Sequence, residues 1–171
     1  MNEKSLNFID TVYYHLGTFY LSEKRYNLAF KYYIKSHIRK KGYCTAALAF
    51  MLEFGLGIER DVCHSEKLYL GASKAGILLS FTRLTFLKTH GRPGILINIK
   101  DAFHYRKKIS SAPSDRALSF LFYLANKGLA EAEFSLALCY YNSTGTVSDA
   151  NIAFHYCKQV FKFLNRRQKK V

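Results

Sequence analysis

AALAFMLEFGLGIERDVCHSEKLYLGASKAG, residues 46–76, decides how the rest of the chain is read. Small and apolar residues recur at helical spacing through its first part, with Ala46, Ala47 and Ala49 where two helices would approach closely. Gly55 and Gly57 break that pattern and supply the positive φ that a tight turn between helices needs. Asp61 stands where it can cap a second helix, along which Leu68, Tyr69, Ala72 and Ala75 keep helical spacing until Gly76 ends it. The stretch is thus one helix–turn–helix unit of about thirty residues.

Weaker copies lie on both sides. Upstream, Leu16-Gly17-x-x-Tyr20 leads to Ala29-x-x-Tyr32-Tyr33-x-Lys35. Downstream, Ala132-x-x-x-Leu136-Ala137-x-x-Tyr140 leads through Gly145-x-Val147-x-Asp149 to Ala153-x-x-Tyr156, with one extra residue expected in the turn. Between them, Ser80-x-x-x-Leu84-Thr85 opens a third unit. Helices near 101–109 and 116–127, the second ended by Gly128, both offer to close it, so an inserted helix is expected. The apolar run 95–99 is read as packed loop. Two stripes are drawn from periodicity: Phe8, Val12, Leu16 and Phe19 on the first helix, and Ala153, Tyr156, Val160 and Leu164 facing the core on the last.

These units resemble Sel1-like repeats, the variant of the tetratricopeptide repeat with a glycine-rich turn. The 46–76 unit matches well and the fourth unit nearly as well. The first lacks the glycine turn, and the third is irregular. The resemblance implies an all-α, right-handed α-solenoid of about four antiparallel helix pairs with an irregular third unit, one domain over residues 1–165 followed by a basic tail at 166–171. Such units bury a core only by stacking. The family implies adaptor or scaffold activity on a concave face lined by first helices, and no catalysis.

Composition fits one folded domain. Of 171 residues nearly half are hydrophobic, two are proline, and Tyr and Phe number 13 and 14, which reads as tight interhelical packing. Cys44, Cys63, Cys139 and Cys157 form no C-x-x-C pair and read as small buried hydrophobes. The N-terminus lacks a signal-peptide pattern and no apolar run reaches eighteen residues, so a cytoplasmic setting is expected. Phosphate loops, H-E-x-x-H and G-x-S-x-G are missing from the sequence, the histidines occur singly, and Gly55-Leu-Gly57 joins helix to helix rather than strand to helix. The sequence therefore reads as a binding protein rather than an enzyme, with no metal, cofactor or small-molecule substrate.

Charge points to the partner. Twenty-six Lys and Arg against twelve Asp and Glu give a formal net charge of +14, a self-repulsion that an acidic partner relieves. The cations fall in three groups: Lys24, Lys31, Lys35, Arg39, Lys40 and Lys41; Arg106, Lys107 and Lys108; Lys158, Lys162, Arg166, Arg167, Lys169 and Lys170. Helical stripes of this kind suit phosphates at regular intervals, and Tyr32, Tyr33 and Tyr105 beside them could stack on exposed bases. The first expectation is therefore docking on structured RNA or a ribonucleoprotein such as the ribosome. The second is a protein–protein adaptor using the concave face, and membrane docking is a weaker third.

Overall fold

The computed structural model describes residues 3–37, 42–110 and 114–168. Among them are nine helices: α1 (Glu3–Ser22), α2 (Tyr26–His37), α3 (Gly42–Phe54), α4 (Val62–Lys74), α5 (Leu78–His90), α6 (Ile99–Ser110), α7 (Ser114–Asn126), α8 (Ala130–Tyr141) and α9 (Ala150–Gln168). Four helix pairs form, α1 with α2, α3 with α4, α5 with α6 and α8 with α9, while α7 is the supernumerary helix. The second helices α2 and α4 pack in turn on α3 and α5, so each pair is stacked on the next.

The 46–76 unit folds as its residues dictate. Ala46, Ala47 and Ala49 are fully buried in α3. Gly55, Gly57 and Gly76 take φ of 70°, 69° and 76°, and Gly128 and Gly145 take 74° and 76°. At Gly57 a side chain is doubly excluded, because its Cβ would overlap Tyr26. The Asp61 carboxylate accepts the His64 amide at 2.8 Å and caps α4.

The turn of the fourth pair repeats that of the second bond for bond. The Leu56 amide donates to Met51 and that of Asp61 to Leu52; eighty-eight positions on, Thr144 donates to Cys139 and Asp149 to Tyr140. Counted between those bonds the two turns have the same length, so the extra residue expected in the fourth is not there; α8 ends one position sooner than α3 does. Ser143 stands where Gly55 does and takes the same left-handed backbone, φ 52°. That substitution hid the register, since a serine does not announce a positive φ.

Two stripes differ from expectation. On α1, Phe8 is 70% exposed and Val12 and Phe19 are also exposed, whereas Gly17, Thr18 and Leu21 are buried. Gly17 is the reason: the Tyr33 ring packs on it, only 2.5 Å from where a Cβ would sit, and Thr18 shares a 2.9 Å hydrogen bond with the Tyr33 hydroxyl. On α9, Ala153 is buried and Tyr156 and Val160 are half-buried, but Leu164 is 50% exposed. In the 95–99 run only Ile95 packs inward; Leu96, Ile97 and Ile99 face solvent.

The irregular third unit has a definite geometry. α6 closes the pair with α5, and α7 leaves that stack. It packs on α1, α5 and α8, and its Phe120 ring meets Tyr14 of α1 and Phe50 of α3 at centroid distances of 6.4 and 5.6 Å. Leu118, Leu121 and Leu124 are fully buried there. One helix therefore lies across the first helices of all three leading pairs. Among the described residues no helix is long and apolar enough to cross a membrane.

Candidate functional site

The described cations of the three groups sit on helices and turns whose other side is core. In the first group, Lys24 occupies the α1–α2 turn with φ 59°, and Lys31 and Lys35 are exposed on α2. Lys35 lies over the rings of Tyr13 and Tyr32, 5.6 and 5.7 Å from their centroids. Lys24 lies 5.5 Å over the ring of Phe163, more than a hundred residues away on α9. In the second group, Lys107 and Lys108 are exposed on α6. The Arg106 guanidinium instead donates to the carbonyls of Asn142 and Ser143, in the turn that leads into α9. In the third, Lys158 and Lys162 are exposed along α9, which runs to Gln168 and takes in Arg166 and Arg167. Arg39, Lys40, Lys41, Lys169 and Lys170 lie outside the described residues, as do the side chains of Arg166 and Arg167.

Two of these contacts lead towards α9. Arg106 ties α6 to the turn before α9, and Lys24 reaches α9 near its other end. One cation of the first group thus reaches α9, one of the second holds the turn before it, and Lys158 and Lys162 lie along it. Beside its cations α9 also shows apolar surface: Phe154 is 69% and Phe161 63% exposed, and the Cys157 thiol is exposed between them. Sequence periodicity missed this face because it assigned Leu164 to the core and left Phe154 and Phe161 unassigned.

The aromatics offered for base stacking are engaged elsewhere. Tyr33 is fully buried, and burial holds its hydroxyl well above the ordinary tyrosine range. Tyr32 is half-buried and stacks on Tyr20 at 5.4 Å with an interplanar angle of 8°. Tyr105 is half-buried against Phe81.

Thiol chemistry divides by burial. Cys44 and Cys139 are buried as expected, and desolvation pushes their thiols up to about 11 and about 12. Cys63 is half-buried, its sulfur packed against Gly94, and Cys157 is exposed, so the reading of all four as core hydrophobes holds for only two.

One polar cluster escaped sequence reading altogether. Glu53 of α3 and Arg83 of α5 form a buried ion pair through two contacts, 2.5 and 3.0 Å, and the Tyr69 hydroxyl of α4 donates to the same carboxylate at 2.9 Å. The guanidinium lies between the rings of Phe54 and Phe86, 5.3 and 4.9 Å from their centroids. Burial alone would ease its proton off, but the facing carboxylate outweighs this and holds it firmly charged. Glu53 and Arg83 are thirty residues apart, and no local pattern links them. Among the described residues no group of three or more His, Cys, Asp or Glu is arranged to hold a metal ion.

The fold defines an all-α helical-repeat protein, with antiparallel pairs stacked into a solenoid. Its particular form is that of the Sel1-like repeat (SLR). The chain is similar to a Sel1 repeat protein from Oxalobacter formigenes, at 22% identity and a TM-score of 0.53 over 90% of this chain and 73% of that one. It is also matched, at 16% identity and a TM-score of 0.46, by c5321, a protective antigen of uropathogenic Escherichia coli with an SLR fold; 78% of this chain and 33% of that one are covered. No family model and no curated protein matches the chain.

Proposed function

We propose that this chain is a non-catalytic protein–protein adaptor of the SLR class, working in the cytoplasm. The observation that supports it most is the exposed apolar and basic surface of α9, where Phe154 and Phe161 stand on the same helix as Lys158 and Lys162. Isolated apolar residues are ordinary on a protein surface, but an apolar stripe rimmed by polar groups is how interaction sites are built.

The competing expectation, docking on structured RNA, drew on charge and on nearby tyrosines. Charge favours any acidic macromolecule. The tyrosines are packed, and Lys24, Lys35 and Arg106 have contacts within the chain. Both points favour the protein reading.

The test is affinity capture from native lysate with and without ribonuclease, washed at low and at high salt. An adaptor retains a protein partner at high salt and after ribonuclease. Loss of all capture on ribonuclease treatment, together with direct RNA binding that falls steeply with ionic strength, would establish the RNA reading instead.

A further inference from the structure

The helices α2, α4 and α7, on each of which the next helix of the chain packs, can be set in register with α9 on Ala29, Ser65, Ala117 and Ala153. Four residues on lie Tyr33, Tyr69, Leu121 and Cys157. The first three are fully buried, and each sits on a helix packed against by the next one in the chain, α3, α5 or α8. Cys157 is exposed. Eight residues on, Ala125 of α7 is buried but Phe161 of α9 is 63% exposed. The face of α9 carrying Phe154, Cys157, Phe161 and Leu164 is therefore the face on which a following first helix stacks elsewhere in the same molecule. Among the described residues nothing covers it.

What fits this face can be read from the molecule. From Phe154 to Leu164 the stripe is about 15 Å long, close to the apolar length of the 12- or 13-residue first helices α3, α5 and α8. At a hundred degrees per residue Lys158 and Lys162 border it on one side. Lys24 lies over Phe163, which the same spacing puts on the other side of α9, and Arg106 is fixed at the turn leading into the helix. A second copy would bring another +14 to a basic rim. An acidic occupant gains from that rim what a copy of this chain loses.

We infer that the exposed face of α9 docks an amphipathic helix of a partner protein, with small and apolar residues on its contact side and Asp or Glu along its flanks, seated as the first helix of an additional repeat. This rests on the adaptor reading above and names the chemistry of the partner.

The experiment uses the full chain and a labelled helical peptide that keeps the apolar register of residues 42–54 and places Glu at the flanking positions. Anisotropy should show saturable binding that weakens as salt rises. The bound peptide should shield the Cys157 thiol from a maleimide. Phe161→Glu should lower affinity at least tenfold with an unchanged urea midpoint, because Phe161 is mostly exposed. Modifying Cys157 with a bulky maleimide gives a second block that does not depend on a new charge.

The proposal is overturned by equal binding of a Lys-flanked peptide, by an affinity indifferent to Phe161→Glu, or by no binding at all. It is overturned equally if sedimentation shows a dimer that Phe161→Glu dissolves, or if the face binds phosphatidylserine vesicles in preference to the peptide. Lysate capture with the same variant separates the two readings. Partners that survive Phe161→Glu at high salt would remove the α9 site and leave the adaptor standing; loss of every partner from the unaltered chain would remove both.

Discussion

Replacing Arg83 by Leu is the sharpest test of how the stacked units hold together. The guanidinium and the Glu53 carboxylate are 1% and 4% exposed, so removing the cation leaves a buried anion with only the Tyr69 hydroxyl to answer it. Breaking such a pair from one side costs about 3–5 kcal/mol, most of it the desolvation of the stranded charge. For a chain of this size that lowers Tm by roughly 6–20 °C. Glu53→Leu should cost a similar amount, since it strands the guanidinium between Phe54 and Phe86. The double replacement should cost far less than the sum, because neither charge remains; the residual loss is the unmet Tyr69 hydroxyl, about 1–3 kcal/mol, which adding Tyr69→Phe should recover. Urea unfolding followed by far-UV circular dichroism measures all four variants, with equal slopes required for comparison. Additive losses, or a loss below about 1 kcal/mol for Arg83→Leu, would refute the reasoning. The pair would then be no more than an incidental contact between α3 and α5.

Three further outcomes follow from local geometry and burial. Ser143→Gly should raise stability by about 1 kcal/mol, since the residue already holds a left-handed backbone; an unchanged urea midpoint would mean the strain is absorbed elsewhere. Gly17→Ala should lower stability by about 1–3 kcal/mol by driving a methyl into the Tyr33 ring, and Tyr33→Leu in the same chain should restore part of it. Thiol labelling at neutral pH should modify Cys157 rapidly and Cys44 and Cys139 only after unfolding. Those two thiols ionise at about 11 and about 12 when folded against a normal 9.0. Their stabilising effect is therefore complete below that value and lost as pH climbs through the folded ones, so the urea midpoint should fall steadily in alkali, and less so in Cys139→Ala.

The parts of this fold that were legible in the sequence are those fixed within a few residues. Gly55, Gly57 and Asp61 form one turn and one cap, and their chemistry is complete without the rest of the molecule. The third unit was not decidable in this way. Ala102 and Tyr105 of α6 keep the repeat spacing, and so do Phe120, Leu121 and Leu124 of α7; only tertiary packing selects α6 as the partner of α5. Periodicity misled on α1 because it weighs Phe8 and Phe19 as apolar and Gly17 as nothing, whereas the bare backbone at Gly17 is what lets Tyr33 in. On α9 it failed for the opposite reason: the helix has an apolar face wider than its partner α8 can cover. The Glu53–Arg83 pair joins two units, and a pattern read one unit at a time does not contain it.

The position of α7 bears on where recognition takes place. A solenoid that uses its inner side must leave its first helices open, yet here α7 packs on α1 and α5, and its Phe120 ring meets Phe50 of α3. Five of the twelve acidic residues, meanwhile, are spent locally. Glu53 neutralises Arg83, Glu66 pairs with Lys88 at 2.5 Å, and Asp61 and Asp149 cap α4 and α9. Asp101 accepts a hydrogen bond from Asn98 at the start of α6. Glu133 stands near Lys24 and His155, while Lys158 and Lys162 lie exposed along α9. A chain whose α7 covers first helices and whose basic, partly apolar α9 stays uncovered fits the binding surface proposed on its flank. The partner that satisfies such a flank must bring both apolar surface and negative charge, a demand that bare phosphate meets only in half.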